Sequence, residues 1–197
     1  FTNVNAITKI LTETYPLVEV VWSRFLFHSL FVVLVFRGRI PSLLASNAPR
    51  LQIGRSAIML ATTTLIFLSL HLNPMVETSA ILATAPIILT ALSGPVLGEP
   101  VGLRRWVAVL IAFTGAVIII RPGSAMMQTV IFAPVVAAFS LAFYQTATRL
   151  VSRRDLVMTT VVYTPIVGLV VSSMAVPFVW VMPTPGDWLL MAAFGAF

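Results

Sequence analysis

Long apolar runs separated by short polar connectors dominate this 197-residue chain. A window of about 19 residues, close to the length of helix that crosses a hydrocarbon core of about 30 Å, resolves eight runs. The first and last runs are too short for a complete span, so we expect the chain to be cut from a longer protein at both ends. The runs are residues 1–11, 17–36, 56–72, 76–97, 103–120, 130–148, 156–182 and 188–197.

The composition supports an all-α integral membrane protein. We expect a multi-helix transmembrane bundle whose main partner is the surrounding lipid bilayer. Hydrophobic residues make up 59% of the chain and charged residues 9%, and the mean hydropathy is +1.03. The absence of cysteine excludes disulfides and thiolate metal sites, and two histidines offer little for a metal cluster. We therefore expect no metal and no cofactor. The net charge of +6 arises from arginines between apolar runs, which indicates topology rather than nucleic-acid binding.

Basic residues alternate between connectors and so predict an orientation. By the positive-inside rule, the arginine-rich connectors face the cytoplasm of a multi-pass protein in the cell inner membrane. The intervening connectors hold Arg121 and four acids, Glu13, Glu19, Glu77 and Asp187. The arginines assigned to cytoplasmic connectors are Arg37, Arg39, Arg50, Arg55, Arg104, Arg105, Arg149, Arg153 and Arg154.

A weak internal repeat suggests inverted symmetry. The segment TKILT at residues 8–12 aligns with TRLVS at residues 148–152, and a break and a long apolar run follow each segment. Five crossings separate the two segments, so equivalent elements would point in opposite directions across the membrane. Many secondary transporters use such inverted repeats to place a substrate site near the bilayer midplane.

The segment ETSAILATAPIILTALSGPVLGEPVGLRRWVAVLIAFTGAVIIIRPG, residues 77–123, resembles the EamA module of the drug/metabolite transporter superfamily. The resemblance implies two inverted five-helix modules: residues 1–123 would form helices 1–5, and residues 124–197 would begin the second module with helices 6–8. Subgroups of this superfamily with similar sequences import riboflavin or S-adenosylmethionine, and other subgroups export amino acids. The cargo and the direction of transport therefore stay open. The matching features are Pro86, Leu97-Gly98-Glu99, Gly102, Gly115 and Arg121-Pro122-Gly123.

Arg24 and His28 lie one helical turn apart within the run VEVVWSRFLFHSLFVVLVF. A central arginine costs about 2.5 to 3.5 kcal/mol on insertion scales, so its face should meet water, a partner or a substrate. One interpretation is that both residues line a polar cavity. The alternative for Arg24 is a structural ion pair with Glu19 or Glu77, and for His28 a bond to a neighbouring backbone carbonyl.

Other polar residues, two prolines inside apolar runs and one helix-capping glutamate complete the candidate site. Trp22 also suits the interfacial aromatic belt, and Tyr144 and Gln145 could equally form a bond between helices. Pro86 and Pro165 would bend their helices, either as hinges or as static adjustments, and Glu99 would cap the next helix. The predicted cavity residues are Lys9, Trp22, Arg24, His28, Glu77, Thr78, Tyr144 and Gln145.

These features favour a secondary transporter that moves a small organic metabolite, such as an amino acid, a vitamin or a nucleoside-like compound, by alternating access. Arg24 and Lys9 would favour anionic groups on the cargo, and His28 could bind a coupling proton. The chain contains no ATPase or hydrolase motif, so we do not expect an enzyme. The alternatives are a membrane scaffold or receptor subunit without transport, and a lipid-modifying membrane enzyme. The sequence does not decide whether the protein forms a homodimer.

Overall fold

The computed structural model describes residues 2–98, 102–120 and 132–196, and throughout these ranges the regular structure is helical. This architecture confirms the predicted all-α multi-helix membrane bundle. Turns of 3-10 helix follow α2 at Arg37–Arg39 and α9 at Val176–Phe178. The α-helices are α1 Thr2–Thr14, α2 Leu17–Phe36, α3 Ile40–Leu43, α4 Pro49–Leu72, α5 Met75–Leu82, α6 Ala85–Leu97, α7 Leu103–Ile120, α8 Phe132–Ser152, α9 Val157–Ala175 and α10 Pro185–Ala196.

Prolines set the start of several helices. Pro16 is the residue before α2, and Pro49 and Pro86 occupy the first or second position of α4 and α6. Proline suits these positions because its ring fixes φ and the first amides of a helix have no internal partner. Gly98 ends α6 with a φ of 67°, a left-handed conformation in which glycine is the least strained residue.

Four segments within the described ranges are long and apolar enough to cross a membrane: Leu17–Leu43, Pro49–Leu72, Met75–Gly94 and Val157–Phe178. Helix α2 of the first segment has the predicted bounds, and the other three segments differ from the predicted runs. The third run begins at residue 49 rather than 56, so Arg55 lies inside a helix and not in a connector. The fourth is broken between α5 and α6 just before Pro86, and the helix of the seventh, α9, stops at Ala175.

Helix α4 lies at the centre of the bundle, where it contacts α1, α2, α5, α8 and α9. Helix α2 packs against both α9 and α10 at close range. A Cβ added to Gly168 of α9 would lie 2.4 Å from the ring of Phe25, and one added to Gly195 of α10 would lie 2.4 Å from the Cβ of Phe27. Glycine therefore permits both of these helix contacts.

The apolar core lies between α1, α2, α4 and α10. Its buried members include Leu11, Phe25, Phe67 and Phe194. On the outside, large aliphatic side chains remain exposed along α2, α7 and α9, as Ile111 illustrates with 68% of its surface exposed. Exposed apolar faces of this extent match hydrocarbon rather than water.

The connectors meet at two opposite ends of the bundle. At one end, Asn47 in the connector before α4 bonds to Arg154 in the connector before α9. At the other end, the Tyr15 hydroxyl donates a hydrogen bond of 2.6 Å to Asp187 at the start of α10. We call the first end, which also holds Arg37, Arg39, Arg50 and Arg153, the arginine-rich end.

Candidate functional site

A cavity of about 610 Å³ lies among α1, α2, α4, α5 and α8. Most of its surface is apolar, and seven of its fourteen lining residues carry polar groups that could orient a bound molecule. Three residues predicted from the sequence, Arg24, Tyr144 and Gln145, line this cavity together. The other polar lining residues are Asn5, Thr62, Thr63 and Ser79.

Arg24 contributes a cation to the cavity wall. Its guanidinium carbon lies 5.0 Å from the centre of the Phe194 ring and 6.0 Å from that of Phe67. Aromatic faces attract cations at these distances but accept no full hydrogen bond. The Nη1 atom of Arg24 is buried and has no hydrogen-bond partner among the described residues. A buried donor without a partner costs about 1 to 3 kcal/mol, which an acceptor on a bound molecule could recover.

The predicted alternative for Arg24, an ion pair with Glu19 or Glu77, is wrong for the part of the chain that the structure describes. No ion pair between described residues includes Arg24. Glu19 is fully buried, and its Oε2 accepts a hydrogen bond of 3.0 Å from the backbone N–H of Val181. Its Oε1 has no partner among the described residues. Arg24 is therefore held by aromatic rings rather than by either acid.

Tyr144 joins the cavity to a second arginine. Its hydroxyl accepts a hydrogen bond of 2.6 Å from Nη2 of Arg55, whose guanidinium carbon lies 4.7 Å from the centre of the Tyr144 ring. Arg55 is 4% exposed and also donates hydrogen bonds of 2.8 Å to Thr148 and Thr164. Tyr144 thus faces the cavity on α8 and bonds to α4 behind it.

Sequence reasoning missed Arg55 because it treated this residue as a topology signal in a connector. The signal that could have located it is Pro49, which favours the first turn of a helix and moves the predicted start seven residues upstream. From that start, Gln52, Arg55 and Ser56 share one face of α4, and all three are buried. The same correction places Arg50 in the first turn of α4 rather than in a connector.

Lys9 does not line the cavity. Its Nζ donates hydrogen bonds to the carbonyls of Leu70, at 3.2 Å, and Asn73, at 3.3 Å, and lies 3.9 Å from Glu13. These carbonyls belong to the end of α4, where backbone acceptors have no partner within the helix. Lys9 therefore caps α4 from the neighbouring helix α1.

Trp22 and His28 also lie away from the cavity wall. The Trp22 indole donates a hydrogen bond of 2.9 Å to Ser173, and its ring meets that of Trp180 edge to face at 5.5 Å. His28 is half-buried one turn beyond Arg24, where α10 crosses α2. A Cβ added to Gly195 would lie 3.2 Å from the His28 backbone nitrogen.

Thr78 and Glu77 lie on α5, near the cavity but outside its wall. The Thr78 hydroxyl is buried and donates a hydrogen bond of 3.3 Å to the carbonyl of Ser69 on α4. Glu77 is half-buried, and no ion pair between described residues includes it. The next residue, Ser79, lines the cavity.

The predicted helix breakers have different surroundings. Pro86 is exposed at the second position of α6, directly after the break at residues 83–84. Pro165 is buried inside α9, next to the Thr164 that bonds to Arg55. Glu99, predicted to cap the following helix, lies outside the described residues.

The described residues offer no group of three or more histidine, aspartate or glutamate side chains that could hold a metal ion. The polar atoms of the cavity wall come from one guanidinium, amides and hydroxyls. Such groups can bind an organic molecule through hydrogen bonds.

Curated relatives of this chain are named as transporters. A riboflavin transporter of Vibrio cholerae is 35% identical over 123 residues, which cover 62% of this chain and 41% of that protein. A Rickettsia bellii S-adenosylmethionine uptake transporter is 25% identical over 90% of this chain and 61% of its own length. Its Rickettsia conorii namesake is 23% identical over 98% of this chain and 65% of its own length.

The chain therefore spans less than two thirds of the length of the curated relatives that it matches. No solved structure gives a significant match to the chain. The model of the EamA-like transporter family matches residues 4–121, which include most of α1, all of α2 to α7 and most of the cavity wall. The chain belongs to the EamA-like transporter family.

Proposed function

We propose that the protein is a secondary transporter that moves a small organic metabolite across a membrane, and that the 610 Å³ cavity is its cargo site. The carrying observation is the buried Nη1 of Arg24, a donor on the cavity wall without a partner among the described residues. A cavity of about 300 to 1,000 Å³ suits a drug-sized molecule. Family membership and the names of the relatives support transport over catalysis.

The wall favours a cargo with an acceptor oxygen and a flat or apolar body. A carboxylate, phosphate or carbonyl oxygen would satisfy the free donor of Arg24, and a guanidinium binds such groups through a planar fork. Phe67 and Tyr144 contribute aromatic surface to the wall, against which a flat molecule could pack. Gln145 and Thr63 add neutral polar groups that can fix orientation.

The named substrates of the relatives fit this chemistry. Riboflavin has carbonyl oxygens on a planar ring system, and S-adenosylmethionine has a carboxylate at one end and a purine base at the other. Each therefore offers an acceptor for Arg24 and a flat surface for Phe67 or Tyr144. These two compounds are the first cargoes to test.

Alternating access would occur between two inverted modules, residues 1–123 and 124–197, in a membrane where the arginine-rich end faces the cytoplasm. In this scheme the two modules would share the cavity, since α1, α2, α4 and α5 would come from the first and α8 from the second. His28, one turn from Arg24, is the candidate for a coupling proton because imidazole titrates near neutral pH. Pro86 and Pro165 are the candidate hinges.

The test is uptake by proteoliposomes that contain the product of the complete reading frame encoding this chain. Riboflavin, S-adenosylmethionine, amino acids and nucleosides are screened as radiolabelled cargoes, with and without a proton gradient. We expect saturable uptake of at least one compound by the wild-type protein, and loss of that uptake in Arg24→Met. Arg50→Met, which removes an exposed arginine from the same bundle, is the matched control.

If the protein is folded and correctly inserted but no cargo enters the proteoliposomes, the result would favour the scaffold or receptor alternative. Equal uptake by wild-type and Arg24→Met protein would show that the cargo binds elsewhere. Purified protein without uptake would next be tested for binding of the same compounds, because a receptor would still bind its ligand.

A further inference from the structure

Arg55 of α4 connects its helix to α8 and α9 through hydrogen bonds whose acceptors are all hydroxyl groups. Its Nε and Nη1 donate hydrogen bonds of 2.8 Å to Thr148 of α8 and Thr164 of α9, and its Nη2 donates a bond of 2.6 Å to Tyr144 of α8. No ion pair between described residues includes Arg55. The guanidinium stays charged at any physiological pH, so a full charge is buried among neutral acceptors.

These contacts belong to a longer row of hydrogen bonds, which we call the polar seam. Towards the arginine-rich end, Gln52 donates to Asp155 at 2.9 Å and to Thr160 at 3.3 Å. Ser46 and the backbone N–H of Asn47 also donate to Asp155. The seam therefore joins the first half of α4 to α8, α9 and the connector between them.

The polar seam occupies the space between the cavity and the arginine-rich end. On α4 the cavity is lined by residues 59–67, whereas the seam residues Gln52 and Arg55 lie closer to the start of the helix. On α8 the cavity residues Leu141 and Tyr144 are followed by the seam residue Thr148. A path from the cavity to this end between these helices would have to separate α4 from α8 and α9.

We propose that Arg55 is a gating residue: it closes the cavity towards the arginine-rich end and positions Tyr144 in the cavity wall. This inference rests on the proposed transport function. Hydroxyl acceptors suit such a gate because they hold the cation without forming the buried ion pair that would be costly to separate. Tyr144 belongs to both the wall and the gate, so a cargo that contacts the ring acts directly on the bond that holds α8 to α4.

The test measures access to the cavity and requires no knowledge of the cargo. The chain contains no cysteine, so Ser79→Cys places one thiol on the cavity wall. The product of the complete reading frame is reconstituted in vesicles of known orientation and treated with a membrane-impermeant maleimide from either side. Labelling is compared for Arg55→Met, for Arg50→Met as the exposed arginine control, and for the parent protein.

We expect Arg55→Met to speed labelling from the arginine-rich side about tenfold, which corresponds to loss of roughly 1.4 kcal/mol of closed-state stability. Labelling from the opposite side should not rise, and Arg50→Met should match the parent. Equal acceleration from both sides would indicate general loosening of the bundle and would overturn the proposal. Unchanged labelling from the arginine-rich side in folded Arg55→Met protein would overturn it as well.

Two milder variants keep the test decisive if Arg55→Met does not fold. Thr164→Val and Tyr144→Phe each remove one hydroxyl acceptor of Arg55 and retain nearly the same shape. Each should increase labelling from the arginine-rich side alone, and Thr114→Val, on the exposed face of α7, should not. If neither gate variant changes side-specific labelling, Arg55 is a purely structural residue. Because uptake is measured separately, failure of the gate and failure of the transport proposal are distinguishable.

Discussion

The guanidinium of Arg24 stacks against the ring of Phe194, with 5.0 Å between Cζ and the ring centre. Phe194 comes from α10 and the second ring, Phe67, from α4, so two helices hold the cation of a third. Aromatic faces stabilise a cation without neutralising it or using its N–H groups. This arrangement keeps a charged donor available beside an apolar cavity, which an ion pair with Glu19 would not do.

Close packing of α9 on α2 should make Gly168 intolerant of a larger side chain. Gly168→Ala would place a Cβ within 2.6 Å of the Phe25 ring, which is itself buried. We expect a loss of about 1 to 3 kcal/mol of stability from overpacking. Gly54→Ala is the matched control, because Gly54 is an exposed residue within α4 and has nothing within 4 Å of its added Cβ.

Thermal unfolding in detergent measures this difference. Gly54→Ala should leave the melting temperature unchanged or raise it slightly, since alanine is the better helix former by about 0.5 to 1 kcal/mol. An equal melting temperature for Gly168→Ala and Gly54→Ala would mean that α9 does not approach α2 as closely as described.

The orientation of the bundle predicts which residues are reached from each side of the membrane. Ala45 and Ser152 are exposed at the arginine-rich end, whereas His71 and Gly186 are exposed at the opposite end. Single cysteines at the first two positions should react with an impermeant thiol reagent only from the cytoplasm. Cysteines at the other two should react only from outside. Reaction of Ala45→Cys and His71→Cys from the same side would refute this topology.

Asp155 should make the stability of the arginine-rich end depend on acid pH. Burial favours the neutral form of this carboxyl, but hydrogen bonds from Ser46, Gln52 and Asn47 outweigh burial and leave the pKa of Asp155 below its usual value. A carboxyl with a lowered pKa in the folded state stabilises that state above its unfolded pKa of about 3.9. This stabilisation is lost as the pH falls through the lower, folded pKa.

Melting temperatures of wild-type and Asp155→Asn protein between pH 7 and pH 3 test this dependence. The wild type should be the more stable protein at pH 7, because the amide offers one acceptor oxygen to three donors. The difference should begin to shrink below about pH 4, where the carboxyl of the unfolded chain becomes protonated. A difference that stays constant over this range would show that the charge of Asp155 does not contribute.

The sequence predicted the helical bundle well because its signals are local. Hydropathy located α2, α4 and α9, and proline and glycine marked several helix ends. The cavity was predicted only in part, since whether a residue lines the cavity depends on which face of its helix packs against neighbouring helices. Arg24 and Tyr144 were found because polar residues are rare in apolar runs. Lys9 was assigned to the cavity because nothing in the sequence indicates that its Nζ meets the carbonyls at the end of α4.

Arg55 shows why a charge count alone could not complete the site. Its position near the end of an apolar run matched the pattern of a cytoplasmic anchor, which is the commoner role of arginine in membrane proteins. Its partners, Thr148 and Thr164, are more than 90 residues away in the sequence, and hydroxyl groups give no charge signal. Only the packing of α4 on α8 and α9 places these groups together.

Cargo uptake by Arg24→Met protein tests the central claim most directly. Methionine keeps an unbranched apolar side chain about as long as the aliphatic stem of Arg24, but it removes the guanidinium that contacts Phe67 and Phe194, and with it the charge and every donor. In proteoliposomes we predict near-normal amounts of folded protein, a melting temperature within a few degrees of the wild type, and uptake reduced by at least about tenfold. A poorly folded variant with unchanged uptake per folded molecule would contradict this account, because Arg24 would then stabilise the bundle rather than bind cargo.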